Sequence, residues 1–270
     1  MTHSGRILRR TIQTLQQQSS ASKNNSLHIP PALNFNPEEG IPELWSAETS
    51  TLQIRLLDQY QKRLQQMIAG TDLNSRPLLS IMERCVREKN SIPHQKILQQ
   101  AGLYWASDFF LRGLTTHPGA QSNIPRGLEK LFEGEFEVSG IKQVKRLFDL
   151  EADALFGNGW IWLVRINAAE RAGKLGIIST LNGWTPMSLL MAAAGGKVGS
   201  SQAPSISQML FGSSSIQADT TPFSYYSPVL GISMFENAYI RDFGIDRRAY
   251  LDAVWRKINW QRVSILLNIQ

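Results

Sequence analysis

A chain of 270 residues with 42% apolar content can build a substantial core, which excludes a disordered or low-complexity protein. Its net charge of +6 and pI near 9.5 favour a polyanionic partner, or mark a solvated basic surface. The single cysteine, Cys85, excludes an internal disulfide and a cysteine-built metal cluster, and no apolar run approaches the roughly 20 residues needed to span a bilayer.

The first acidic residue is Glu38. Before it come Arg6, Arg9, Arg10 and Lys23, with an apolar stripe at Leu8, Ile12 and Leu15. An amphipathic, acid-free, arginine-bearing start has the composition of a mitochondrial presequence, and residues 1–27 are expected to be that targeting segment or tail. Pro30, Pro31, Pro37 and Pro42 make the next stretch an extended arm. A helix then starts at Ser46, a good N-cap, with Glu48 suited to the positive helix end. Leu56, Leu57, Tyr60, Leu64 and Met67 form its apolar face, and Gly70 ends it. A second helical region covers about 76–89, and a third runs from about His94 to Leu114. Cys85 falls on the second with Ile81, Met82 and Val86, the pattern of a buried thiol.

His117 to Gly127 is rich in Gly and Pro and is expected to be a hinge between two subdomains. A helix follows over about Ile141–Leu155. GWIWLVRI and LGIIST, separated by a charged turn, predict an antiparallel strand pair, and Val229–Met234 would supply a third strand. The run after it predicts a helix carrying Tyr250, Val254 and Ile258 at i, i+4 and i+8. Residues 188–227 form a long, weakly charged insert with Met209, Phe211, Phe223, Tyr225 and Tyr226. It is either a docking extension that orders on a partner or a floppy loop.

PVLGISMFENAYIRDFGIDRRAYLDAVWRKINW, from Pro228 to Trp260, together with FGNGWIWLV, from Phe156 to Val164, resembles the carboxy-terminal domain of iron/manganese superoxide dismutases. SAET (Ser46–Thr49), IAGT (Ile68–Thr71) and LYW (Leu103–Trp105) resemble parts of that family's amino-terminal helices. The resemblance implies an α+β fold. An N-terminal α-helical hairpin domain (28–117) would precede a C-terminal domain (118–270) with a three-stranded antiparallel sheet flanked by helices, and the insert at 188–227 would lie in the second.

The family binds its metal through three histidines and one aspartate, and the resemblance places Gln53, Ala101, Ser233 and Asn237 at those positions. Ala101 offers no donor, and Ser233 and Asn237 are neutral, weak ligands for iron or manganese. The expectation is a chain with no catalytic residues, no metal and no cofactor, which is not an enzyme. His3, His28, His94 and His117 lack the i, i+3 or i+4 spacing of a helical metal pair. Glu236 and Tyr239 match the family's E-x-A-Y dimer surface, whose next tyrosine is Ile240 here. Metal-less relatives of this fold occur in the small subunit of mitochondrial ribosomes. The resemblance therefore implies a structural ribosomal protein of the mitochondrial matrix, paired with a superoxide dismutase-like paralogue and docked on ribosomal RNA and proteins. Arg247, Arg248 and Lys257 are candidate RNA contacts, set among Asp246 and Asp252 with which they could equally form ion pairs. The alternative is a working dismutase with altered ligands.

Overall fold

The computed structural model describes residues 33–88, 91–117, 124–136, 140–167, 173–188 and 225–269. The basic start at 1–27 and nearly all of the insert at 188–227 lie outside the described residues. The described residues form eight α-helices and one sheet. These are α1 (Ala47–Ile68), α2 (Leu78–Arg87), α3 (Ile92–Arg112), α4 (Arg126–Phe136), α5 (Gly140–Ala154), α6 (Ile240–Phe243), α7 (Arg247–Arg256) and α8 (Trp260–Leu267). The strands are β1 (Gly159–Ile166), β2 (Leu175–Leu181) and β3 (Tyr226–Ser233), in the spatial order β2-β1-β3 with both pairs antiparallel. This is the α+β architecture expected from the sequence, with the three strands in their expected places.

Local signals explain most boundaries. The Ser46 hydroxyl accepts from Thr49 N at 3.3 Å and caps α1, which ends before Gly70 at a φ of 75°. Pro93 opens α3 in the first turn, where a missing N–H has no consequence. β1 lies between β2 and β3 and is covered on both faces, so its run Trp160–Val164 is wholly apolar rather than alternating. β3 is an edge strand, and its Pro228 sits where the register with β1 slips, between Leu163 and Val164. An edge position beside an irregularity is where a strand tolerates the lost N–H. Asn182 turns the chain after β2 with a φ of 51°, and its carbonyl accepts from Trp160 Nε1 at 2.9 Å.

Two expectations change. The stretch expected to be a hinge, His117–Gly127, already includes the start of α4 at Arg126, a helix held by the buried Leu128 and Phe132. Ile258 does not continue α7, which ends at Arg256. Instead Thr115 N donates to Lys257 O at 2.9 Å and Asn259 N to Gly113 O at 2.8 Å, drawing the chain against the end of α3. Asn259 then starts α8, its side chain accepting from Arg262 N at 3.1 Å.

The helices meet the sheet through aromatic packing. Trp162 contacts Trp105, Phe109 and Trp160 at ring-centroid distances of 5.8, 5.9 and 5.7 Å, and Trp160 meets Phe110 at 6.3 Å. α3 also approaches the turn after β2 so closely that a Cβ on Gly102 would lie 1.8 Å from the Gly183 carbonyl oxygen. Backbone cannot yield there as a side chain would. Gly102→Ala is therefore expected to destabilise by at least about 1–3 kcal/mol, read as a lower urea midpoint with an unchanged slope.

Cys85 is fully buried on α2 beside Ile81, Met82 and Val86. Burial, and then the Glu88 carboxylate, pushes its thiol up to about 12. In the unfolded chain the same thiol ionises near about 8.5, so the unfolded state releases its proton first. The thiol's share of stability is therefore full below about pH 8.5 and falls as pH rises toward about 12. Urea midpoints across that range should show the decline. A thiol reagent at neutral pH should modify Cys85 only once the chain unfolds.

Candidate functional site

α1 and α3 pack against the start of β1, the end of β3 and the short 3-10 turn Glu236–Ala238, and a small cleft opens where they meet. It holds about 10 Å³, room for no more than about one water molecule. Gln53, Leu56 and Tyr60 come from α1, and Leu103, Ser107, Phe110 and Leu111 from α3. Trp160, Ser233, Phe235 and Asn237 complete the wall. The elements that deliver these residues are tied together nearby. Trp45 Nε1 donates to Ala238 O at 2.7 Å, fixing the start of α1 to the turn. Arg241 pairs with Glu48 across the same seam, and Ser46 N donates to Asp242 Oδ2 at 3.2 Å. Asn158 Oδ1 accepts from Glu236 N at 3.0 Å on the other side.

Polar contact inside the cleft is between neutral groups. Gln53 Nε2 donates to the Asn237 carbonyl at 2.8 Å and reaches Asn237 Oδ1 at 3.3 Å. Ser233 is 3% exposed, its carbonyl accepts from Tyr250 Oη at 2.8 Å, and its hydroxyl accepts from Phe235 N at 3.4 Å. Burial holds Tyr250 well above, and Tyr60 above, the ordinary phenol range, so both are hydroxyl donors rather than phenolates.

Three of the four positions mapped from the sequence, Gln53, Ser233 and Asn237, are therefore brought together. Ala101 is not. It is buried, but the polar α3 residue in the cleft wall is Ser107, six positions or about 9 Å further along the helix. Sequence reading missed Ser107 by anchoring on LYW.

The dimer residues divide. Glu236 is exposed, as a surface residue must be, and Ile240 is about half-exposed. Tyr239 is 7% exposed and packs on Tyr250 at 5.5 Å, so it belongs to the core of its own chain. The candidate RNA contacts are all engaged internally. Arg247 is turned inward: its Nη1 donates to Leu155 O at 2.9 Å, and its Nε and Nη2 are sealed from solvent. Arg248 pairs with Asp153 at 3.0 Å, and Lys257 pairs with Glu43 at 3.4 Å.

A redox iron or manganese ion requires nitrogen and oxygen donors with some anionic charge. The cleft offers two amides (Gln53 and Asn237) and three hydroxyls (Tyr60, Ser107 and Ser233), with no imidazole and no carboxylate. Among the described residues no group of three His, Cys, Asp or Glu converges elsewhere. This donor set does not fit the ion that the fold's known members hold.

The Gln53–Asn237 contact should behave as a structural tie. Gln53→Ala strips the Asn237 carbonyl of its partner and should cost about 1–3 kcal/mol. Asn237→Ala should cost less, because Gln53 keeps its shorter bond to the backbone. Urea melts of the two variants check the order.

Residues 205–265 match the family model described as iron/manganese superoxide dismutases, C-terminal domain. The chain is also similar to a manganese superoxide dismutase of Buchnera aphidicola, at 24% identity over 76% of this chain and 81% of that one. An iron superoxide dismutase of Coxiella burnetii matches at 24% identity over 76% of this chain and 79% of that one. A manganese superoxide dismutase of Listeria ivanovii matches at 28% identity over 74% of this chain and 78% of that one. These matches overturn the expectation that the chain is not an enzyme, since all three relatives are named as members of an enzyme family. That expectation rested on side-chain losses at four mapped positions, one of which lies outside the cleft. By fold and by sequence the chain is iron/manganese superoxide dismutase-like.

Proposed function

We propose that the chain is a structural constituent of the small subunit of the mitochondrial ribosome, built on a superoxide dismutase-like frame. The observation that carries this reading is the Gln53–Asn237 contact. α1 and the 3-10 turn, two of the elements that meet at the cleft, are joined there by neutral hydrogen bonds of 2.8 and 3.3 Å. A frame tied in this way supports assembly through its outer surfaces. The net charge of +6 suits a ribonucleoprotein, and the acid-free, amphipathic residues 1–27 suit import into the mitochondrial matrix. Exposed Glu236 and half-exposed Ile240, beside the turn, suit pairing with a non-identical superoxide dismutase-like chain.

A second reading is favoured by the relatives. They are named as superoxide dismutases and match about three quarters of this chain. Two measurements separate the readings. On a sucrose gradient of mitochondrial lysate the tagged full chain should travel with the small ribosomal subunit, and protein remaining at the top of the gradient would sink the ribosomal assignment. Purified chain carrying near-stoichiometric iron or manganese and turning over superoxide would establish the second.

A further inference from the structure

Arg262 lies in the first turn of α8 and lays its guanidinium over Phe109, with Cζ 5.5 Å from the ring centroid. On α3, Phe109 is flanked by Asp108 and Arg112, and Arg112 Nε donates to Asp108 Oδ2 at 2.8 Å. That pair is largely covered, with side-chain exposures of 14% and 23%. A cation at the end of α3 also suits the negative end of the helix, which accounts for Arg112. It does not account for Arg262, whose guanidinium has no hydrogen-bond or ion-pair partner among the described residues. Its nitrogens are not among the sealed, partnerless atoms, so they keep contact with solvent.

Arg112 holds the one carboxylate here, Asp108, and Arg262 is left with a ring and no carboxylate. Burial, and then the Arg112 charge, holds Arg262 below the ordinary guanidinium range, with Asp108 opposing. A half-covered cation without a counter-charge is unfavourable, and an anion would relieve it. Contact with the Phe109 ring uses none of the guanidinium N–H donors, which remain as a fork of the kind that grips phosphate oxygens. Two arginines less one aspartate leave a single positive charge. That matches the one charge of a phosphodiester better than the two of a phosphate monoester.

We propose that Arg262, with Arg112 behind it, is a docking point for one phosphodiester of an RNA backbone. The proposal rests on the ribonucleoprotein reading above, and its test is separate. Full-length protein is titrated against a short fluorescein-labelled single-stranded RNA at several salt concentrations, and anisotropy is read. Arg262→Gln should weaken binding several-fold, equally across RNA sequences, and lower the salt slope by about one. Arg262→Lys keeps the charge without the fork and should restore the slope but only part of the affinity. Arg76→Gln removes an exposed arginine of α2's approach, held by Asp72, and controls for net charge. Equal losses in Arg76→Gln and Arg262→Gln, or no loss in the latter, would overturn the site. So would saturation by inorganic phosphate with no displacement of bound RNA. Thermal melts establish that each variant is folded. If Arg262-dependent RNA binding holds while the chain stays off the small subunit, the site stands and the ribosomal reading falls. Co-sedimentation with Arg262→Gln binding RNA as the parent does gives the reverse.

Discussion

Trp162 sets the distance between the sheet and α3. It is fully buried in the central strand, its indole N–H donates to Thr180 Oγ1 at 2.9 Å, and its ring meets two aromatics of α3. Gly231 on β3 leaves the room that this ring occupies: a Cβ there would lie 2.4 Å from Trp162 Cζ3. Aromatic rings bury large areas and pack in few geometries, so this cluster holds helix and strand in one relation. Trp160, two residues earlier on β1, inherits that placement and becomes part of the cleft wall. Everything about the site follows from where those two indoles fall.

Within that frame the cleft joins four otherwise separate elements through neutral groups. A charged cluster in so small a space would require close pairing to offset desolvation. Amides and hydroxyls require only hydrogen-bond partners, and Gln53, Asn237, Ser233 and Tyr250 supply them for one another. Cationic groups are instead distributed over the outer faces of α3, α7 and α8. Arg248 pairs with Asp153 in an exposed contact of the kind that contributes little to stability, whereas the Arg112–Asp108 pair is largely covered. Arg262, held by a ring rather than a carboxylate, differs from them in kind.

The relation to superoxide dismutases and the properties of the cleft point to different parts of the molecule. Similarity to the relatives extends over about three quarters of the chain. The cleft is a few side chains within that scaffold. Fold and site chemistry can therefore diverge without either disturbing the other.

Sequence alone determined what depends on neighbours along the chain. The Ser46 cap, the stop at Gly70, the three strands and the buried Cys85 all follow from local pattern. So did the meeting of Gln53 with Ser233 and Asn237, through motifs that fix their places on elements far apart in sequence. Only the tertiary structure decided which face of a long buried helix meets a given neighbour. α3 is apolar around most of its circumference, so periodicity could not tell Ser107 from Ala101. The same holds for Tyr239, turned into the core against Tyr250, and for Arg247, turned inward to the end of α5. Each outcome depends on what stands opposite a side chain in space, and that is set by packing between separate elements rather than by the residues beside it.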